Sequence, residues 1–481
     1  MPLGAELIAR LEGICGSEHV LTHPHALATY RSDGLVHLRQ TPLAAVLPGA
    51  AEQVQAVVAL CAEHEIPFVA RGAGTGLSGG ALPVENGVLI VLSRLRRILS
   101  IELDDSRVVV EPGVTNLAIS KAVGPTHFYP PDPSSQIVCS IGGNVAENSG
   151  GAHCFKYGFT TNYVVGLEVV LPDGSVVELD RDAPGYDLLG AFVGSEGTLG
   201  VATRIVLRVI PAPETVRTMV AFFEDTAHAG EAVSAIVGSG IVPGAIEMMD
   251  RLSIKAAEAA TGAGYRLDAG AALLVELDGP HEECTARFEH LMALCTRAGA
   301  ADVRVALTEA ERANIWRTRK AAFAAMGRIA PAYYVQDSVI PRTRLVEVLK
   351  RIDELAAEYE LQVANVFHAG DGNLHPLVCY DSARPGEPEK AEKLAGLIVK
   401  ACVDAEGSIT GEHGVGVDKK MYMPSMYSEA DLDTFQRLRC AFDPAGLANP
   451  GKVMPTPRLC GEVPGPYREH PLERAGIAER F

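Results

Sequence analysis

The ten cysteines include no Cys-x-x-Cys pair, which excludes an iron–sulfur cluster or a zinc ribbon held by this chain alone. Basic residues are in deficit: 42 Lys and Arg stand against 60 Asp and Glu, for a formal net charge of −18. Nucleic acid is therefore not an expected partner, because phosphate backbones are bound by basic faces. No stretch offers the roughly twenty apolar residues that span a bilayer, so no transmembrane helix is expected. The opening MPLGAELIARLEG has neither a basic region nor a long apolar run and reads as a short amphipathic helix, not a secretory leader. A reducing cytoplasm with free thiols is the expected setting. No Gly-Lys-Ser or Gly-Lys-Thr follows a glycine-rich loop, so a P-loop is excluded.

What is present suits a soluble globular protein: 47% hydrophobic and 21% charged residues. A chain of 481 residues has room for two or three domains. Val54, Val57, Val58 and Cys61 recur at helical spacing within residues 51–64. Strand-like runs follow at 67–70, 88–92 and 108–110, with a helix at 115–123. Strands at 164–171 and 175–179 are joined by the turn Pro172-Asp173-Gly174. Pro211-Ala212-Pro213 stiffens a connection and marks a boundary. Beyond it, strands at 219–223, 271–277 and 363–367 alternate with helices at 227–237, 282–297 and 344–359, the pattern of a sheet covered by helices. The predicted class is α+β. The predicted parts are a helical arm (1–40), a first domain (41–211), a second domain (212–420), a helical C-terminal segment (421–457) and a surface tail (458–481).

Three glycine-rich segments crowd the first half. RGAGTGLSGG, residues 71–80, contains a literal G-x-G-x-x-G. It is not a dinucleotide fingerprint of the usual kind, because Gly80 and Pro83 follow where a helix should open. Free backbone N–H groups in such a loop can still cradle a pyrophosphate. SIGGNVAENSGG, residues 140–151, adds the amides of Asn144 and Asn148. The third segment, residues 194–200, brackets Glu196.

Near the C-terminal end FHAGDGNLHP and GEHGVG carry His368, His375, Glu412 and His413. Two imidazoles and a carboxylate, His368, His375 and Glu412, form a candidate divalent-metal set, and the adjacent His413 is a candidate base.

RGAGTGLSGG, PPDPSS, SIGGNVAENSGG, KYGFTTNYVVGLEVVLPDG and GSEGTLG together resemble the FAD-binding domain of the vanillyl-alcohol oxidase type. FHAGDGNLHP, GEHGVG and NPGK resemble the C-terminal cap of its D-2-hydroxy-acid dehydrogenase branch. The match covers residues 40–455. Within the branch, IWRTRKAAFAAMGRIAPAYYVQDSVIPR is most similar to the flavoprotein D subunits of bacterial glycolate oxidases, then to D-lactate dehydrogenases. The resemblance implies a two-part FAD-binding domain and an α+β cap with an antiparallel sheet. It places the pyrophosphate on Gly72, Ala73, Gly74, Thr75, Gly76, Leu77 and Ser78. The rest of the FAD is expected against Pro131, Asp132, Ser140, Gly143, Asn144, Ala146, Asn148 and Gly151, against Glu196, Gly197 and Val201, and against Asn449 from the C-terminal segment. Some relatives attach the flavin through a His in the phosphate loop. Thr75 stands near that place here and the loop has no His, so the FAD is expected to be non-covalent.

The implied reaction oxidises a small 2-hydroxy acid, glycolate or D-lactate. A zinc- or manganese-like ion on His368, His375 and Glu412 would hold the substrate oxygens. His413 would take the hydroxyl proton, provided the backbone bends between Glu412 and His413. Arg319 is the candidate carboxylate clamp, because its planar fork fits a carboxylate; Arg312, Arg317 and Lys320 are the alternatives. Val335 replaces the lysine with which hydroxyglutarate-type relatives meet a second carboxylate, which favours a monocarboxylate. With no cluster motif in this chain, electrons are expected to leave to oxygen, a quinone, an electron-transfer flavoprotein or a separate subunit; the resemblance implies the last, one subunit bearing an iron–sulfur cluster and one a second flavin. These would also provide any membrane association. A rival reading is a non-catalytic flavin-binding scaffold in an electron-transfer complex.

Overall fold

A computed structural model describes residues 4–455. The expected surface tail at 458–481 lies outside the described residues.

The first part contains two sheets. The four-stranded sheet runs Val20–Leu21, Ala44–Val46, Val88–Val91, Phe68–Arg71, with the last three strands parallel. Parallel strands need a crossover, and helix Ala51–Glu63 supplies it between Ala44–Val46 and Phe68–Arg71, which flank Val88–Val91. Its Val54, Val57, Val58, Leu60 and Cys61 are buried against the sheet. The stretch read as a helical arm does hold a helix, Ala5–Cys15, but it also donates the strand Val20–Leu21. The second sheet is antiparallel, in the order Ile98–Glu102, Arg107–Val110, Val201–Arg208, Val164–Val170, Val176–Asp180. The glycine-rich segment at 140–151 contains a helix, Ile141–Glu147, which no periodicity announced. Asn148 ends it in the left-handed region at φ 51°, a conformation Asn tolerates.

The second part is built on a nine-stranded antiparallel sheet whose main path is Asp302–Val305, Thr215–Phe223, Ala271–Gly279, Ala245–Asp250, Gln362–His368, Asn373–Leu374, Ser338–Val339. Pro376–Tyr380 pairs with Gln362–His368 and with Ala332–Val335. Successive strand residues face opposite sides, and both sides are buried. Met219, Ala221 and Phe223 pack against helices Thr226–Gly238, His281–Arg297, Leu345–Glu358 and Glu387–Asp404. Val220 and Phe222 pack on the other face, against Arg251–Thr261 and Glu309–Ala325. This explains the near-continuous apolar runs: a strand covered twice has no solvent face to mark with polar residues. Each buried side chain of Leu or Phe size stabilises by about 1.5–3 kcal/mol.

Residues 421–455 depart from the helical expectation. Helices Met423–Met426 and Glu429–Phe442 form, but from Asp443 onward the chain is irregular, broken by Pro444, Gly446 and Pro450-Gly451. This stretch returns to the first sheet. Phe68 N–H donates to Leu447 O, and Asn449 N–H donates to Phe68 O.

The two parts are also joined by a buried ionic network. His153 Nδ1 lies 2.8 Å from Asp132 Oδ2, and its Nε2 lies 3.2 Å from Glu276 Oε1. Its ring stacks on Trp316, whose indole N–H donates to Glu276. Beside it Lys156 Nζ and the Tyr157 hydroxyl donate to Asp278. Burial works against charge on His153, but Asp132 and then Glu276 outweigh it and raise the imidazole from its usual 6.5 to about 10. A raised pKa contributes stability that is fully present below 6.5 and is lost as pH rises through about 10. The difference in melting temperature between wild type and His153→Gln should therefore be largest below pH 6.5 and shrink toward pH 10. Thermal melts across that range check it, and a gap independent of pH would contradict it.

Candidate active site

Between the two parts lies a cavity of about 660 Å³, large enough for a sizeable organic cofactor. One end is made by the loop that follows strand Phe68–Arg71. Among the described residues nothing accepts a hydrogen bond from the N–H groups of residues 72–78. Gly74 has φ +71°, the left-handed conformation that turns successive amides inward. This is the chemistry of an anion cradle. Arg71 adds a cation that the sequence reading overlooked: it lines the cavity and donates Nη1 to Ser32 O at 2.8 Å. An arginine placed directly before the glycines was the available signal.

Of the residues expected around a dinucleotide, Gly72 to Leu77, Ser140, Gly143, Asn144, Ala146, Glu196, Gly197 and Val201 line the cavity. Others lie behind its wall. Asn148 accepts from Thr161 N–H, Asp132 holds His153, and Gly151 packs on Asp132. Pro131 O accepts from Asn116, and Ser78 O accepts from the N–H groups of Val417 and Asp418. Asn449 donates to Gly80 O and Glu196 O. These six shape the wall and do not form it; the polar contacts just named lie inside the protein, and Ser78 Oγ is buried without a partner. Pro133, Ser134 and Ser135 stand in the wall where Pro131 and Asp132 were expected. Ser140 Oγ, Ser195 Oγ and Glu147 Oε2, on residues that line the cavity, are buried without partners. Orphaned polar atoms around a glycine cradle fit a polar dinucleotide.

The wall also gathers His375, Glu412 and His413, with His368 directly behind. His368 closes strand Gln362–His368, and His375 follows the short strand Asn373–Leu374. Glu412 Oε1 lies 3.2 Å from His368 Nε2 and 3.5 Å from His375 Nε2. His368 Nδ1 is 2.7 Å from Glu247 Oε1, which leaves Nε2 as the outward nitrogen. Both nitrogens of His375 are buried without a hydrogen-bond partner. His368, His375 and Glu412 have the ligand types and spacing to hold a divalent ion, their donor atoms lying within 4.8 Å of one another. Asp337, His375 and His413 form a second such group, but Asp337 is already engaged.

Asp337 is the residue the sequence reading missed. Its Oδ2 accepts from Thr410 Oγ1 and from the N–H groups of Gly411, Glu412 and His413 at 2.7–3.1 Å. Three successive N–H groups can converge on one carboxylate only where the chain curls, so the bend required between Glu412 and His413 is present. Burial opposes charge on Asp337, yet Lys419, with His413 and His375, holds its carboxyl well below the usual range. Burial likewise opposes charge on Glu412, and His368, His375 and His413 bring it down to about 2. Burial pushes His413 down to about 4, leaving a neutral imidazole able to accept a proton. Its ring stacks on His375 with centroids 5.0 Å apart.

Arg319 differs from the expectation. It is buried behind the wall with Nη2 2.6 Å from Glu247 Oε2. The contact is close but not aligned as a hydrogen bond, and Nε and Nη2 are both left without an acceptor. Lys320, the next residue, lines the cavity, as do Phe323, Tyr333, Val335 and Tyr380.

Residues 42–180 match the family described as FAD binding domain, and residues 212–453 match FAD linked oxidases, C-terminal domain. Glycolate oxidase subunit GlcD of Escherichia coli (strain K12) is 49% identical over 468 residues, covering 96% of this chain and 94% of that one. The Bacillus subtilis (strain 168) subunit of the same name is 37% identical, covering 88% and 91%. D-Lactate dehydrogenase of Anaerostipes hadrus is 34% identical, covering 84% and 87%. Among solved structures, 4-ethylphenol oxidase from Gulosibacter chungangensis superimposes with a TM-score of 0.78 at 19% identity, covering 94% and 97%, which shows the shared fold. With an anion cradle and a histidine–carboxylate cluster lining one cavity, and relatives that match nearly end to end, the chain belongs to the FAD-linked oxidases and is an FAD-dependent oxidoreductase.

Proposed function

We propose that this chain oxidises a small D-2-hydroxy acid, glycolate or D-lactate, to the 2-oxo acid. The observation that carries the reading is that His375, Glu412 and His413 share one cavity with the loop at 72–77. Two of the relatives are named glycolate oxidase subunits and one a D-lactate dehydrogenase.

Bound FAD, held non-covalently, supplies the hydride acceptor for the substrate Cα hydrogen. The residues 72–77 with Arg71 hold its pyrophosphate. His368, His375 and Glu412 hold a divalent ion, zinc or manganese, which supplies Lewis acidity toward the substrate oxygens. Neutral His413 takes the hydroxyl proton. Glu247 fixes the tautomer of His368, and Asp337 fixes the curl that sets Glu412 and His413 on one site. Arg319, whose Nη2 faces Glu247, and Lys320, which lines the cavity, are the two cations available to the substrate carboxylate. Val335, like Phe323, Tyr333 and Tyr380, lines the cavity and offers no positive charge to a distal carboxylate, which suits a short monocarboxylate.

The relatives' designation as subunits supports partner chains; in this reading one partner with an iron–sulfur cluster and one with a second flavin take the electrons. Among the described residues no helix is long and apolar enough to cross a membrane. We place the chain in the cytoplasm, with any membrane contact made through those partners.

Anaerobic addition of glycolate or D-lactate to FAD-loaded protein should bleach the flavin, and elemental analysis should find one divalent ion per chain. His413→Asn should slow the bleaching by about a hundredfold or more with little change in substrate affinity. Unchanged bleaching kinetics would move the base elsewhere. Protein that turns over without a stoichiometric metal would remove the ion from the reading.

The two cations separate by substitution. Arg319→Met should lower kcat/KM by roughly thirty- to thousandfold, the loss of a charge-assisted pair worth about 2–4 kcal/mol. FAD and metal content should be retained. Lys320→Met should cost less than about tenfold. The reverse ranking in steady-state kinetics would make Lys320 the clamp and leave Arg319 as the counter-ion of Glu247.

A further inference from the structure

Glu147 is a cavity-lining carboxyl to which the proposed reaction gives no task. It ends helix Ile141–Glu147 and lies between the glycine loop and the His413 loop. A Cβ on Gly80 would stand 2.5 Å from Glu147 Oε1. A Cβ on Gly414 would meet Glu147 Oε2 and would lie 2.9 Å from Glu196 Oε1. Two carboxylates therefore converge on the residue next to His413. Their situations differ. Glu196 accepts the N–H groups of Val415 and Gly416 at 2.6 Å each, one on each oxygen. A proton on Glu196 would face a donor. Glu147 Oε2 is buried and has no partner. Two like charges this close cannot both be ionised comfortably, so the proton of the pair rests on Glu147. Burial, with Glu196 and Asp33, pushes the Glu147 carboxyl well above its usual range, against the opposing pull of Lys419 and Lys452. Neither lysine reaches it as a partner: Lys419 Nζ donates to Asp337, and Lys452 Nζ donates to Leu82 O and Asn449 Oδ1.

We propose that Glu147 is a cofactor-binding residue of an unusual kind, a neutral carboxylic acid whose O–H donates into the cavity to an oxygen of the pyrophosphate–ribityl chain of FAD. The place is right for that acceptor, since Glu147 lies beside Gly76 and Gly80 at the edge of the anion cradle. Neutrality is required there, because a carboxylate would repel a pyrophosphate. The proposal rests on the chain holding FAD and is independent of the substrate reading.

The test titrates FAD into deflavinated protein and follows flavin fluorescence. Glu147→Ala should weaken FAD binding by about ten- to hundredfold, the loss of a hydrogen bond to a charged or strongly polar acceptor. Glu147→Gln restores a neutral donor and should bind within about threefold of wild type by the same reasoning. An infrared carbonyl band of a protonated carboxyl should be present in wild type and absent from Glu147→Gln. ADP-ribose, which has the pyrophosphate without the ribityl chain, assigns the acceptor. An equal loss in Glu147→Ala points to the pyrophosphate, and no loss points to the ribityl hydroxyls. Tighter FAD binding by Glu147→Gln would show an ionised Glu147 and overturn the proposal. So would wild-type affinity in Glu147→Ala, or equal weakening in both variants. If wild-type protein itself bound no FAD, the cofactor assignment would fail instead.

Discussion

The buried carboxylate of Asp337 holds the histidine–carboxylate cluster together. It stands between strands Ala332–Val335 and Ser338–Val339, at the margin of the large sheet. It converts a flexible glycine-rich loop into a fixed curl by taking the N–H groups of residues 411–413. Lys419 provides the charge that makes its burial tolerable. Removing one member of such a buried pair typically costs about 3–5 kcal/mol, because the other is left unpaired. Without that curl, Glu412 and His413 would point to opposite sides of an extended chain, and the proposed metal ligand and the proposed base could not share one site.

The same loop is gripped from the other side by Glu196 of the first part, through the N–H groups of Val415 and Gly416. Gly414, at φ +84°, leaves the space in which two carboxylates approach the loop. The C-terminal stretch completes the join by adding to strand Phe68–Arg71 and by placing Asn449 across Gly80 O and Glu196 O. The cavity thus has its two chemistries on different parts of the chain, locked in register by a few buried polar contacts. The rigid support comes from elsewhere. The nine-stranded sheet is packed on both faces, so the ends of its strands are stable platforms for His368 and His375. Function sits on the loops, and the packing sits beneath them.

Sequence periodicity identified part of the regular structure and passed over strand Ala245–Asp250 and helices Arg251–Thr261 and Glu387–Asp404. Val54, Val57, Val58 and Cys61 mark their helix directly, and Met219–Phe223 marks a strand inside Thr215–Phe223. The helix Ile141–Glu147 was invisible, because two glycines lower its intrinsic propensity and only packing of Ile141 and Val145 decides it. The irregular return after Asp443 was read as helix, although Pro444, Gly446 and Pro450-Gly451 already argued against it.

By itself the sequence determined the kinds of chemistry present. Those are a glycine loop able to cradle phosphate, and histidines with a glutamate able to hold a metal. Residue type sets the donors and acceptors available, and short spacing sets which of them share a loop. Only the tertiary structure decided which of them face the cavity. It placed Asp132, Asn148 and Asn449 behind the wall and Glu147 in it, paired Arg319 with Glu247, and set Asp337 under a loop 74 residues away in sequence. Such assignments depend on contacts between distant segments, where a polar atom either meets a partner within the protein or is left facing the cavity. No local pattern in the chain records that choice.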